Sequence, residues 1–582
     1  MAPSLVIGPL LRHVDHESAA FWVETDGPAT VTVRADGHTA SARTFSVHGH
    51  HYGLVELTGL PAGLDAAYEV LLDDTVVWPP ADDDRPAPHV NTLTPGSAVD
   101  LDFGSCRTSV SHDARGYRTH GVDALRTLGM AHATGQEGAP DLPELMLLLG
   151  DQVYADATSR EMRQFIAARR SLDEGPGAEL ADYEQYAHLY SLAWGEPWVR
   201  WLLATLPTLM IFDDHDVRDD WNTSADWRAQ MEATDWWHDR IVAALGSYWV
   251  HQHLGNLSVA ERAQDEVWQA ITAAQRTEDH PNVTELLDAF AERVDQHPDT
   301  YRWSYSRRLG SARLVVVDSR AARVVEPGRR EMLDETEMAW LDDQLQGAED
   351  VDQVVVGTSL PFLLPRGLHH LEAWNEAVSD GVFGERAARV GEWLRTTVDL
   401  EHWAAFHSSF LRVCAMVGEL ARGERGPAPR SVLFLSGDVH HSYVSEVDPA
   451  SLLDDHDLTR RDEDRAGSGG APDLRVLQLV CSPIRNPLPV VMRYLTAALA
   501  HGLAVPLGAM AGRSAHVPAQ PWHWRDVAGP WFTNNVALLR LDGPELEASW
   551  WTGEVRGGDD DHPVLVEVQT VDLTRDGRVV TR

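Results

Sequence analysis

The 582-residue chain has only three cysteines, Cys106, Cys414 and Cys481. That is too few for a disulfide framework, so the fold must rest on burial rather than cross-links. Positive charge is also short: 48 basic residues stand against 89 acidic ones, a formal net charge of -41. Such a surface argues against a protein that coats nucleic acid or docks on anionic membrane, because both would be repelled. No run is apolar enough to span a bilayer. The nearest, Leu495 to Met510, is interrupted by His501, Gly502, Pro506 and Gly508. The opening MAPSLVIGPLLRHVDHESAAF lacks a basic segment leading into a long apolar core, and no twin arginine precedes it. A cytoplasmic location is therefore expected, in which the sequons at Asn222, Asn256 and Asn282 carry no meaning. Internal repeats are absent as well.

What is present divides in two, as expected for a chain too long for one core. Residues 1–97 read as a small all-β sandwich domain and 98–582 as one larger α/β domain. SAAFWVET, ATVTVRAD, YGLVELTGL and AYEVLLDD alternate apolar and polar positions between Gly, Asp and Pro turns, with NTLTPGSA as the exit linker. From Val99 buried strands alternate with helical segments, the pattern of a layered α/β fold. Trp236, Trp237, Ile241, Val242 and Leu245 at helical spacing predict a helical insertion over about 225–300. Its tryptophan stripe suits core better than substrate platform, and it is expected to roof the ends of the strands. RLVVVDSR and QVVVGTSLP read as strands, EMLDETEMAWLDDQL and Glu385 to Asp399 as helices, and GERGPAPR and DEDRAGSGGAPD as surface loops. NNVALLRLDG, ELEASWWTG and VLVEVQTV read as a closing antiparallel sheet.

Three apolar strands release Asp and His from their ends: LLLGDQVYAD, LMIFDDHDVRDDW and VLFLSGDVHHSY. Open α/β folds place their chemistry at such carboxyl edges. Adjacent buried carboxylates repel one another unless a cation neutralises them, so the three together point to a metal site. Asp151, at the first turn, is the best bridging ligand, since a carboxylate can hold two hard cations with its two oxygens. Tyr154, three residues on, could bind a ferric ion as phenolate. Asp214 suits a metal ligand and Asp219 is a second candidate. His215 could protonate a leaving oxygen, with Asp216 to orient it. Asp438 and His440, one residue apart on an extended segment, would point the same way and address neighbouring metals, while His441 points oppositely. LDFGSCRTS adds Cys106 as a thiolate candidate and Arg107 as a bidentate phosphate clamp. His369 and His370 are further imidazole candidates, and Cys481 reads as structural.

The ordered set GSCR, GDQVYAD, FDDHDVRDDW, VVDSR, VVVGTSLP and SGDVHHSY resembles alkaline phosphatase D (PhoD) type proteins, within the metallophosphoesterase or purple-acid-phosphatase-like superfamily. The resemblance covers roughly Val99 to Asn535. It implies a four-layer α/β/β/α sandwich behind the N-terminal β-domain. It also implies Cys106, Asp151, Tyr154 and His440 around a ferric ion, with Asp151, Asp438 and an oxygen from Asp214 or Asp219 around a second, calcium-like cation. His215 is similar to the histidine of the superfamily motif Gly-Asn-His-Glu/Asp, although this chain is acidic where that motif has asparagine. The expected activity is metal-dependent hydrolysis of small phosphomonoesters or phosphodiesters by a metal-bound hydroxide. Arg107 and Arg320 would balance developing charge, and His215 would serve the leaving group. A catalytically silent scaffold, or a hydrolase of non-phosphate esters on the same metals, are the alternatives.

Overall fold

The strand Leu145–Leu149 is apolar at every position because both of its faces are buried. Leu145, Leu147 and Leu149 enter one core, shared with Leu314, Val316, Val355, Leu433 and Leu477 of a second sheet. Met146 and Leu148 enter another, shared with helices. The period-two alternation of a strand thus sorts one apolar run between a sheet–sheet and a sheet–helix interface.

In this computed structural model, which describes residues 2–326, 328–452, 474–488, 504–543, 545–574 and 578–580, two seven-stranded sheets stack face to face. Thr208–Ile211, Leu145–Leu149 and Val99–Gly104 run parallel in the first sheet, with Phe103 opposite Leu147 and Leu147 opposite Leu209. Val536–Asp542, Glu545–Glu554 and Val564–Asp572 extend that sheet antiparallel, as the closing segments predict. In the second sheet Ala312–Val317, Gln353–Thr358, Ser431–Ser436 and Arg475–Val480 are parallel. Helices Ala124–Thr134, Tyr183–Trp194 and Pro197–Thr205 pack outside the first sheet. Helices Glu335–Gln344 and His407–Ala421 pack on Val315, Val317, Val354 and Val356, outside the second. The result is the four-layer α/β/β/α sandwich. The first of those two helices starts at Glu335 rather than Glu331 because the Asp334 side chain accepts the Glu337 N–H and caps it there.

The N-terminal strands form the expected sandwich. Leu5–Val14, Ser18–Thr25, Phe45–Val47 and His50–Thr58 face a sheet containing Thr30–Ala35 and Asp65–Leu72. Phe21, Val23, Val31, Val55, Tyr68 and Val70 lie between them.

The insertion contains the helices Ala225–Glu232, Trp237–Tyr248, Glu266–Ala274 and Thr284–Gln296. It reaches the segment just past a strand end, where Gln252 donates to Asp216 at 3.0 Å and Arg240 to the Val217 carbonyl at 2.7 Å. Trp237, Ile241, Leu245, Leu287 and Phe290 share one apolar core with Met210 and Phe212, on the outer side of the first sheet. An apolar tryptophan stripe is stable against such a face and not over a cluster of carboxylates. The insertion also fastens the N-terminal domain. Ser46 exchanges backbone hydrogen bonds with Pro281 and Val283 at 2.8 and 2.9 Å. Arg12, fully buried, donates to the Gln252 carbonyl at 2.7 Å and to Asn256 Oδ1 at 3.1 Å.

GERGPAPR is a turn segment, whereas DEDRAGSGGAPD lies outside the described residues. So does the first part of the Leu495–Met510 stretch, of which Ala504 onward belongs to the helix Ala504–Ser514. Among the described residues no helix is long and apolar enough to cross a membrane.

Arg12→Ala is expected to cost about 2–4 kcal/mol, because it strips charge-assisted hydrogen bonds and a buried stem from the junction of two domains. Thermal and urea unfolding measure it. A change below about 0.5 kcal/mol would show that the junction does not depend on this side chain.

Candidate metal centre

The carboxyl ends of the parallel strands of both sheets meet at one point, and two glycines allow the approach. A Cβ on Gly150, whose φ is +97°, would lie 2.6 Å from Cβ of Asp213 and 3.1 Å from Cβ of Ser359. A Cβ on Gly437 would lie 1.9 Å from Oγ of Ser105. Past the strand ends the backbone turns into the left-handed region at four non-glycine residues, Cys106 (φ 60°), Asp151 (φ 53°), Asp438 (φ 62°) and His440 (φ 53°). Non-glycine residues rarely adopt this conformation, and strain of this kind collects at functional sites. The extended geometry expected for Asp438–His440 is therefore not what forms: the strand ends at Ser436 and both residues turn back.

The turned side chains converge into two groups that share Asp151. Cys106, Asp151 and His440 offer ligand atoms all within 4.8 Å of one another, as do Asp151, Asp213, Asp214 and Asp438. Tyr154 joins the first group, its hydroxyl donating to Asp151 Oδ2 at 3.2 Å and accepting from Asn486 Nδ2 at 3.0 Å. Asp213, not singled out from the sequence, completes the second. Of the two oxygen candidates, Asp214 belongs to this buried group. Asp219, with its side chain 64% exposed, lies beside Asp214 and His215 instead.

Several features show that cations fit here. Oδ1 of Asp151 and Oδ2 of Asp213 are buried and accept no hydrogen bond, which is costly for a carboxylate unless a cation takes the place of a donor. Burial, followed by the neighbouring acids, raises Asp151, Cys106 and Tyr154 well above their usual ranges. Burial pushes His440 down to about 4, which leaves its imidazole neutral as a ligand must be. A bound cation reverses the first three shifts, because it favours the ionised thiolate, phenolate and carboxylate.

The surrounding side chains hold the ligands in place. Asp216 does not orient His215. Its Oδ2 accepts the N–H groups of Asp151 and Asp213, each at 2.9 Å, and its Oδ1 accepts from Gln252 Nε2 at 3.0 Å. One carboxylate thereby pins two strand-end turns, and burial raises it to about 7. The partner of His215 is Asp156, whose two oxygens both lie 2.9 Å from Nδ1. Burial works against charge on this imidazole, yet Asp156, Asp214 and Asp151 outweigh it and raise His215 well above the usual value. His402 bridges Glu372 at 2.7 Å and Asp438 at 3.1 Å.

Neither arginine faces an open site. Arg107 is committed to Asp123 through Nε and Nη2 and to the Ala193 carbonyl at 2.6 Å, so its donors are not those of a phosphate clamp. Arg320 is fully buried and ion-paired to Asp213, to Asp214 at 3.1 Å, and to Glu401 at 2.5 and 2.7 Å. His369 is buried against Phe410 and Trp524 and lies in no metal-capable group among the described residues. His370 lies in none either. His441 turns to the Val439 carbonyl at 2.8 Å and stacks on Tyr443, and Cys481 is buried beside Asn535.

Asp216→Asn should lower both bound metal and melting temperature, since an amide presents a donor toward N–H groups that now meet an acceptor. The stability loss should be about 1–3 kcal/mol. Unchanged metal content by elemental analysis would refute its positioning role.

A family model described as "PhoD-like phosphatase" matches residues 129–468, and one described as "Domain of unknown function (DUF7800)" matches residues 2–90. No curated protein matches the chain. Among solved structures, one titled "Structure of PhoD" is similar over 99% of this chain and 92% of that one, with a TM-score of 0.57 and 13% sequence identity. At that identity the likeness establishes the fold, whereas the family model spans more than half of the sequence. The chain belongs to the PhoD-like phosphatase family.

Proposed function

We propose that the protein is a metal-dependent phosphoesterase that hydrolyses small phosphomonoesters or phosphodiesters. The observation that carries this reading is the pair of ligand groups sharing Asp151 at the convergence of two sheets. Cys106, Asp151, Tyr154 and His440 would hold one cation, and Asp151, Asp213, Asp214 and Asp438 the other. Thiolate and phenolate suit a ferric ion, and an all-carboxylate set suits a hard cation such as calcium. Bound there, the two ions supply Lewis acidity toward phosphoryl oxygens and the attacking water.

The chain's own groups do the rest. His215, held at Nδ1 by Asp156 and raised by its neighbouring acids, would pass a proton from Nε2 to a leaving oxygen. His402, locked between Glu372 and Asp438, fixes the Asp438 carboxylate. Arg320 draws Asp213, Asp214 and Glu401 together and so acts by positioning carboxylates rather than by touching phosphate. Arg107 is assigned the same kind of role at Asp123. A net charge of -41 disfavours duplex nucleic acid and intact anionic membrane as substrates relative to small esters.

Chelation should abolish hydrolysis of small phosphate esters and metal should restore it. Asp151→Ala should lower the rate more than any other single carboxylate change, and lower metal content with it. Full turnover by metal-free protein would sink the proposal. So would a carboxyl ester hydrolysed far better than any phosphate ester.

An iron-loaded sample should absorb visible light by charge transfer from the phenolate, and Tyr154→Phe should shift or remove that band. A colourless, iron-replete and active protein would refute the ferric assignment.

A further inference from the structure

We propose that Ser482 and Asn486, on the loop after the strand Arg475–Val480, are positioning residues for the first cation. They donate hydrogen bonds to the sulfur of Cys106 and the phenolic oxygen of Tyr154, and so temper both as electron donors to a bound ion. The inference rests on the metal-centre reading and extends it from the ligands to the groups that hold them. Of this loop the sequence singles out only Cys481, as structural.

The loop is fastened alongside Cys106. Ile484 N–H donates to the Ser105 carbonyl at 2.8 Å, Arg485 N–H donates to the Cys106 carbonyl at 3.0 Å, and Thr108 N–H returns to the Arg485 carbonyl at 3.0 Å. The buried Arg485 guanidinium adds bonds to the Val110 and Ser111 carbonyls at 2.6 and 2.8 Å. Ser442 Oγ accepts the Ser482 N–H at 3.1 Å. Held in this way, the buried Ser482 hydroxyl accepts the His440 N–H at 3.2 Å and donates to Cys106 Sγ at 3.3 Å. One hydroxyl therefore joins two ligands of the same cation. Four residues on, Asn486 Nδ2 reaches a third ligand, Tyr154, at 3.0 Å.

The direction of these bonds follows from the ligands. Ser105 is a second partner of the sulfur, its Oγ 3.1 Å from Cys106 Sγ while it accepts the Asp438 N–H at 3.1 Å. A metal-binding thiolate has no proton to give, so both serine hydroxyls turn their hydrogens to sulfur and their lone pairs to the N–H groups of ligand-bearing turns. A phenolate likewise only accepts, and the Asn486 amide nitrogen only donates. Hydrogen bonds to anionic atoms are strong, and each lowers the energy of the lone pair that the ligand shares with a cation. Such partners orient metal ligands and tune the metal they hold.

The test is absorption spectroscopy of the full-length protein loaded with iron(III) and, separately, with cobalt(II), with metal content measured by elemental analysis. Ser482→Ala should move the sulfur-to-cobalt charge-transfer band to longer wavelength, because the sulfur lone pair rises in energy when a donor is lost. It should also weaken cobalt binding about tenfold. Asn486→Ala should move the phenolate-to-iron band to longer wavelength by the same argument. Asn486 is only partly buried, so its variant tests the proposal even if Ser482→Ala fails to fold. A merely structural role would lower metal content or melting temperature and leave the bands of the loaded fraction in place. Bands that are present in the native protein and unmoved in both variants overturn the proposal while the metal-centre reading stands. Native protein that shows neither band with either metal overturns that reading, and the proposal with it.

Discussion

The structure is governed by the mutual repulsion of carboxylates packed where two sheets meet. Asp151, Asp213, Asp214, Asp216 and Glu401 are buried within the same strand-end region, and Asp438 beside them is largely so. Each would stay in water if it could, because burial of an uncompensated charge is far costlier than any single packing contact repays. Three devices make the cluster tolerable. Arg320 meets three of the acids at once, Asp216 takes backbone N–H groups from two turns, and His402 and His215 are drawn toward their charged form by Asp438 and Asp156. Oxygens of Asp151 and Asp213 remain without any of these, and they lie in the metal-capable group. Within the cluster, compensation by the chain ends where compensation by a cation begins.

Backbone conformation expresses the same constraint. Four of the side chains assigned to the metals sit on left-handed residues, a cost of order 1–3 kcal/mol each that only an over-determined surrounding can impose. Here the surrounding is the stacking of two seven-stranded sheets, anchored by a sheet–sheet core of leucine and valine. The strands stop short at Gly150 and Gly437 because no side chain fits between the layers at those points. Precision in the site is thus a consequence of the fold being closed tightly around it, with the insertion and the N-terminal domain bracing the first sheet from outside.

The sequence made the layers and the three strand ends legible, because burial on both faces writes itself as an unbroken apolar run and a strand end as Gly-Asp. What it could not show was who partners whom. His215 was paired with the neighbouring Asp216, but the imidazole reaches Asp156, 59 residues away in sequence. Glu401 and His402 lie in a segment with no apolar periodicity, and their importance comes only from contacts with Arg320 and Asp438, 81 and 36 residues distant. Arg107 follows Cys106 in sequence and so invites a role on the same ligand, yet its guanidinium turns away to Asp123. Adjacent residues at a strand end diverge, so adjacency assigns the turn and not the direction of each side chain. The insertion is legible for a different reason: its tryptophan stripe identifies an apolar face, and the core it shares with Met210 and Phe212 shows where that face lies.

All 48 basic residues of the chain are arginines; it has no lysine. That shapes what its charges can do. A buried lysine can discharge itself, whereas a buried guanidinium keeps its charge and must be met by acceptors. Arg12, Arg262 and Arg320 are met, by carbonyls, by Glu56 and by three acids respectively. Within such a chain the proton traffic near the carboxylate cluster falls to histidine alone among the cations. His215 and His402 are raised by acids that outweigh their burial, while His440 and His441 are lowered by burial to about 4. The same cluster therefore holds imidazoles shifted toward the charged form, suited to giving a proton, and imidazoles shifted toward the neutral form, suited to binding a metal. The difference between them is set by which carboxylate each ring reaches.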